Sequence, residues 1–429
     1  MKSKKKIILI GAGLRGIRYT DHAALLDGAF EVVAVAEPID DRRNYIKNKH
    51  SVPEEMCFDT WEPILEKEKF ADAVIIATMD RDHIAPTMAA IEKGYDILLE
   101  KPIAPTPEEC VKISNAANAK GVKVLVCHVL RYTPFFRALK RTLESGIIGD
   151  IVSVQHAEHV GNLHQSHSFV RGNWGNSERS SCMILQKTCH DLDILQWLID
   201  KPCRRIHSFG SLTHFTAENA PEGAPERCID GCPHAEKCHY NAIKVYYDDK
   251  ENSWFRTSAT KKTEPTDDDV MEALRTTDYG RCVYKCDNDV VDHQVVNMEF
   301  EGGITVSFSM EGFSQSARNT KIFGTKGEIT ANMADDHITV YDFATKTSRE
   351  IKISDELSDQ TINGGHGGGD SGIVKAFYAL LNGEETGNSV CNVSVASDNH
   401  MLAFATEESR LSGQVVDIEK FIQAVKARV

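Results

Sequence analysis

The chain has 429 residues, 41% of them hydrophobic and 26% charged, with a formal net charge of −14. That length exceeds one comfortable core and predicts two domains with an insertion, and the acidic balance argues against a nucleic-acid partner held by broad phosphate neutralisation. No apolar stretch approaches a membrane span, and the basic cluster at residues 2–6 has no signal-peptide segment behind it. A cytoplasmic protein without a membrane partner is expected, in which the twelve cysteines form no stable disulfides.

Strand-like and helix-like segments alternate over residues 4–126. Strands are predicted at 6–10, 30–36, 71–77, 96–99 and 122–127, and helices at about 15–26, 84–93 and 107–120. This spacing predicts a largely parallel, doubly wound sheet. The first strand runs directly into Gly11-Ala12-Gly13-Leu14-Arg15-Gly16. Strand, tight glycine turn and helix start together form a dinucleotide-binding fingerprint, in which backbone approaches a pyrophosphate at the helix N-terminus. The second strand ends in Glu37, at about the distance expected for the acid that binds the adenosine ribose. A carboxylate there favours NAD over NADP, although Arg42 and Arg43 follow closely. Thr78, Asp80 and His83 lie beyond the third clear strand, where ribose or nicotinamide contacts are expected, with a turn-stabilising role as the alternative for each.

The pattern changes after residue 128. A helix is predicted at 135–145, a strand at 151–159, an irregular stretch at 160–180, a helix at 189–199 and a strand at 205–213. A polar insertion spans about 216–275. A hairpin at 292–299 and 304–310 follows, then short strands at 321–323, 328–332 and 337–341, and helices at 373–381 and about 395–409. The expected architecture is a Rossmann domain over residues 1–126 and an α+β substrate and oligomerisation domain over 127–429. The second is built on a large, open, mostly antiparallel sheet. Helices over one face leave the other needing cover, so a homodimer or homotetramer is expected.

Glu100-Lys101-Pro102 follows the strand at 97–99, and His190 enters the helix at 189–199. With the glycine fingerprint, these residues resemble the glucose–fructose oxidoreductase, inositol dehydrogenase and rhizopine-catabolism (Gfo/Idh/MocA) family of NAD(P)-dependent oxidoreductases. The resemblance implies a sugar-like small-molecule substrate and assigns Glu100-Lys101-Pro102 to positioning cofactor and substrate. Lys101 is suited to polarise a reacting hydroxyl, and His190 to accept its proton. Asp193, three residues on, can share a helix face with His190 and is expected to orient it or to pack beneath the site, without carrying a proton. Where many family members carry Asp, this chain has Gln186, beside Lys187. Gln186 can position a hydroxyl but cannot exchange protons as a carboxylate does.

Arg131 and Tyr132 after the last Rossmann strand, His167, Arg171 and Trp174 in the polar aromatic loop, and His366 beside a glycine-rich stretch complete the expected substrate wall. The expected reaction is oxidation of a secondary hydroxyl of a sugar, cyclitol or glycoside. NAD-assisted glycoside cleavage or isomerisation, and a non-catalytic dinucleotide-binding role, are the alternatives. Cys228, Cys232 and Cys238 fall within eleven residues, with Cys282 and Cys286 further on. Such grouped thiolates suit a structural zinc ion, with an iron–sulfur cluster as the alternative, in a loop expected to be too polar for a core of its own.

Overall fold

The computed structural model describes residues 4–26, 28–354, 365–384, 387 and 389–429. Six strands, β1 (Lys5–Ile10), β2 (Phe30–Ala36), β3 (Cys57–Phe58), β4 (Ala73–Ile76), β5 (Asp96–Leu99) and β6 (Val124–Val126), form one sheet in the order β3-β2-β1-β4-β5-β6. Every pairing in it is parallel. Its central strands are apolar on both faces: Ile7 and Leu9 enter one core, Ile8 and Ile10 another. A parallel sheet covered by helices on each side requires this. The strand order reverses between β1 and β4, which opens a ligand crevice at their carboxyl ends. The Asp40–His50 helix after β2 went unforeseen because it buries only Ile46 and presents almost no apolar stripe.

Nine strands make the second sheet: β7 (Ile151–His159), β8 (Cys203–Ser211), β9 (His293–Phe300), β10 (Thr305–Glu311), β11 (Ala317–Gly324), β12 (Gly327–Asn332), β13 (His337–Asp342), β14 (Thr347–Lys352) and β15 (Val416–Asp417). Their order is β14-β13-β12-β11-β7-β10-β9-β8-β15. Only the β7–β10 pairing is parallel among these described strands. Along β9 and β10 burial alternates, and Val296, Met298, Phe300, Val306, Phe308 and Met310 share a core with Leu192, Leu195 and Leu198 of the Cys189–Ile199 helix. On the opposite face Phe209 (58% exposed) stands directly across from Val295 (41% exposed).

Two boundaries differ from those expected. Residues 1–126 do not close the first core alone. Ile373, Val374 and Phe377 of the Gly369–Leu381 helix pack with Ile7 and Leu9, while Val393, Ala396 and Met401 of the Val393–Ser412 helix join Ile8 and Val126. The insertion also runs beyond residue 275, because an antiparallel bridge pairs Arg227 with Arg281. Contrary to expectation, it has a small core of its own, in which Val245, Tyr246, Phe255, Val270 and Leu274 meet. A capping box between Thr266 and Asp269 starts its Asp267–Thr276 helix. The loop expected at 160–180 contains the Asn162–Ser166 helix and a π-helical turn over His167–Arg171. All five residues of that turn are buried, so no polar face betrays the period. Among the described residues, no helix is long and apolar enough to cross a membrane.

Candidate active site

The turn after β1 is built for close backbone approach. Gly11 has φ +87°, and a Cβ there would lie 2.6 Å from the Ala77 carbonyl oxygen. A Cβ at Gly16 would meet the Gly11 oxygen at 2.1 Å, so the helix can pack on the strand only with glycine at this position. Gly13 by contrast has open space around it, with the Arg42 guanidinium at 3.9 Å from its notional Cβ. Leu14 begins the Leu14–Leu25 helix and is partly exposed. Amides of a first helical turn have no partner within the helix and suit an anion. Glu37 is buried where β2 ends, its Oε2 accepting from the Ala12 amide at 2.7 Å and its Oε1 from the Ile39 amide at 3.0 Å. Glycine cradle, helix start and fixed carboxylate fit NAD, and the carboxylate would repel a 2′-phosphate.

Arg15, expected at the cofactor, is engaged elsewhere. Its Nε donates to Glu100 at 2.7 Å, and its Nη1 and Nη2 donate to Asp370 at 3.1 and 2.7 Å. Glu100 also accepts from the Tyr19 hydroxyl at 2.5 Å and the Lys101 amide at 2.8 Å. Burial disfavours the Glu100 anion, but Arg15 and Lys101 overcome it and hold its pKa below the usual range. Glu100 therefore braces the turn that presents Lys101.

Three further residues expected at the cofactor make internal ties. Asp80 is buried and accepts from Trp174 Nε1 at 3.3 Å and the Ser181 hydroxyl at 3.1 Å. It thereby joins the edge of the first sheet to the loop before the Cys189–Ile199 helix. His83 is buried between two backbone carbonyls, those of Pro102 at 2.7 Å and Thr78 at 3.2 Å. The Thr78 hydroxyl donates to the Asp82 carbonyl at 3.1 Å.

At the carboxyl end of β5 the Lys101–Pro102 peptide is cis. Lys101 Nζ donates to the Gln186 carbonyl at 2.6 Å, which brings the ammonium against the segment leading into His190. His190 is buried in the first turn of the Cys189–Ile199 helix, with the His128 ring edge-on at 5.7 Å. His128 and His400 are residues that the sequence reading passed over. Their rings meet at 5.4 Å, and His400 accepts from the Ile103 amide at 3.2 Å while its Nδ1 faces the Ala396 carbonyl at 2.7 Å. Burial lowers the pKa of His128 to about 4 and of His400 to about 3, so both are neutral near pH 7. The only advance signal for His128 was its place just beyond β6, on the same sheet edge as Lys101.

Several expected substrate contacts are redirected. Arg131 is buried and bidentate on Asp193, at 2.7 Å from Nε and 2.8 Å from Nη2, so its fork is not offered to a substrate. Asp193 also accepts from Asn399 at 2.7 Å. It supports the helix carrying His190 from beneath. His128, Asp193 and Cys391 bring three ligand atoms within 4.8 Å of one another, but a cation there would compete with Arg131 for the carboxylate. Tyr132 is buried, and among the described residues its hydroxyl has no hydrogen-bond partner. Lys187 pairs with Glu158 at 3.0 Å, and Glu158 and Asp191 share Arg318, each at 2.8 Å. Lys187 therefore belongs to a charge network on the second sheet.

His167 stacks on Phe255 at 4.2 Å and meets the Tyr246 hydroxyl at 3.1 Å, and burial lowers its pKa to about 3. Arg171 is buried against the insertion, donating to the Arg281 and Tyr240 carbonyls at 2.8 and 2.7 Å. Both residues anchor the insertion rather than line the crevice. Gln186 is buried, and its Nε2 donates to the carbonyls of Trp174 at 2.7 Å and Ser181 at 3.1 Å. Among the described residues its Oε1, which can only accept, has no partner. The side chain of His366 lies outside the described residues. Of the five cysteines expected to bind metal, Cys228, Cys232, Cys238 and Cys282 line one cavity in the insertion. Cys286 stands aside, its thiol donating to the Cys282 carbonyl at 3.4 Å.

Fold and crevice together define a two-domain protein of the dinucleotide-dependent oxidoreductase type. The chain belongs to the Gfo/Idh/MocA oxidoreductase family: residues 5–128 match its NAD-binding Rossmann fold and residues 140–371 its C-terminal alpha/beta domain. YteT of Bacillus subtilis (strain 168), a protein named as an oxidoreductase, is 25% identical over 382 residues, covering 81% of this chain and 84% of its own. Inositol 2-dehydrogenase 4 of Saccharopolyspora erythraea is 30% identical over 225 residues, covering 51% of this chain and 60% of that enzyme. A levoglucosan dehydrogenase bound to NADH and levoglucosan superposes with TM-score 0.70 at 16% identity, covering 97% of this chain and all of that one. An oxidoreductase from Agrobacterium radiobacter bound to NAD+, L-tartaric acid and magnesium superposes with TM-score 0.67 at 15% identity, covering 97% and 99% of the two chains.

Proposed function

We propose that this protein is an NAD-dependent oxidoreductase that oxidises a secondary hydroxyl of a sugar, cyclitol or glycoside. The observation that carries the reading is the meeting of Lys101, held at the carboxyl end of β5, with the segment that leads into His190. When bound, NAD supplies the acceptor for the hydride. In this reading Lys101 donates a hydrogen bond to the reacting oxygen and stabilises the negative charge that develops there. His190 takes the hydroxyl proton as general base. The inositol and levoglucosan dehydrogenases among the relatives support a polyhydroxylated substrate class. The test is turnover with NAD across a panel of inositols, hexoses, anhydrosugars and simple glycosides, following NADH absorbance and product structure together. NADH formed with a carbonyl product is expected. A glycoside altered without net NADH would replace dehydrogenation by an internal redox cycle.

Glu37 sets the cofactor preference in this reading. Glu37→Ser is expected to weaken NAD binding and narrow its advantage over NADP, read by calorimetry with both dinucleotides. An unchanged preference would place the selection elsewhere. We assign the open face of the second sheet, around Phe209 and Val295, to a second copy of the chain. Light scattering at micromolar concentration is expected to give a dimer or tetramer, and a monomer would remove that assignment.

A further inference from the structure

The insertion holds a set of side chains for which hydroxyl oxidation has no use. Cys228, Cys232 and Cys238 come from the chain after β8, and Cys282 from the chain before β9; all four line a single cavity of about 250 Å³. Backbone bonds draw the two segments together: the Cys228 amide donates to the Gly280 carbonyl at 3.0 Å, and the Cys282 amide to the Glu226 carbonyl at 2.9 Å. The thiols therefore converge by construction of the fold, from positions more than forty residues apart in sequence.

Their separation carries information about what they hold. One tetrahedral zinc ion, with Zn–S bonds of about 2.3 Å, draws its thiolates to within about 4 Å of one another. Among the described residues, no three of these thiols lie mutually within 4.8 Å. They line the wall of one cavity, an arrangement that the outer ligands of a cluster of several irons can take.

Arg171 adds an independent observation. It is fully buried, lines the same cavity and donates from Nη2 to Cys228 Sγ at 3.6 Å. Its Nη1 finds no acceptor in hydrogen-bonding geometry. Among the described residues no carboxylate forms an ion pair with it. A buried guanidinium without an anion is strongly unfavourable, so this environment calls for negative charge in the cavity. Four thiolates around iron and sulfide supply that charge, and sulfur accepts the remaining N–H groups.

We propose that Cys228, Cys232, Cys238 and Cys282 bind an iron–sulfur cluster, with Arg171 as its buried counter-charge. Each thiol loses its proton to solvent as its sulfur bonds to iron. The cluster staples together the two ends of the insertion. Thr263, further along the same insertion, donates from its amide and hydroxyl to Asp41 at 2.8 and 2.9 Å, four residues beyond Glu37. The staple thus braces a strap reaching from the second domain to the adenosine end of the dinucleotide crevice.

The test is metal analysis of the full-length protein purified without oxygen, together with its visible spectrum before and after dithionite. Iron and acid-labile sulfide in equal amounts, with absorption that bleaches on reduction, are expected. Cys232→Ala and Cys282→Ala should lose the iron, whereas Cys286→Ala should keep it. Stoichiometric zinc without iron, no metal in the unmodified protein, or full iron retention in Cys232→Ala would each overturn the proposal. The analysis of the unmodified protein stands even where a variant fails to fold, and it is independent of whether a sugar is oxidised.

Discussion

Lys101→Met and His190→Asn are each expected to lower turnover of an active substrate by about two to four orders of magnitude, the range over which charge stabilisation and positioned proton transfer act. NAD binding should survive in both, because the glycine turn and Glu37 lie on other strands. Measurement pairs kcat with calorimetric NAD affinity, so that a loss of chemistry is separated from a loss of cofactor. Lys101→Arg is informative beside them. It keeps the charge but replaces a compact ammonium by a planar fork, and should recover only part of the rate. Near wild-type rates in both Lys101→Met and His190→Asn would remove these side chains from the chemistry.

The second large effect concerns the support beneath His190. Arg131→Met removes the bidentate partner of Asp193 and leaves a buried carboxylate beside Asn399, Cys391 and neutral His128. Breaking such a pair from one side costs about 3–5 kcal/mol, read as a shift in urea unfolding. Arg131→Met combined with Asp193→Leu should recover much of that loss, since no stranded charge remains. A single variant as stable as the parent would show that the pair is not the support described here. Burial works against the Asp193 anion, yet Arg131 and His128 hold its pKa below the usual carboxylate range. The depressed value means that its contribution is present above the pKa of an unfolded Asp, near 4, and is lost as pH falls through the folded value. In Arg131→Met this acid-side loss should move to higher pH.

Legibility in sequence followed the kind of physical signal each region carries. Parallel strands and their glycine turn were visible because β1 is a short apolar run ending in residues whose missing side chains have steric reasons, as at Gly11 and Gly16. The β9–β10 hairpin was visible because one face is buried and the other solvated. The Asp40–His50 helix and the His167–Arg171 turn lacked that contrast, one burying only Ile46 and the other buried throughout. At the site, Glu37, Lys101 and His190 stand out in the sequence by their places beside strand ends and a helix start, and the roles proposed for them rest on those places. The partners that consume polar side chains do not stand out. Arg15 looks like a phosphate ligand until Asp370, 355 residues away, is seen to occupy it. Arg131, Arg171 and Lys187 are likewise engaged, since Asp193, the Tyr240 carbonyl and Glu158 reach them through the fold.

The central claim is hydride transfer from a carbinol carbon, and isotope transfer tests it most directly. A turned-over substrate carrying deuterium at the reacting carbon is incubated with the unmodified protein and NAD, and the dinucleotide product is analysed by mass. NADH that has gained one deuterium for every carbonyl product formed is expected. Unlabelled NADH, or deuterium returned to the product or released to water, would contradict it.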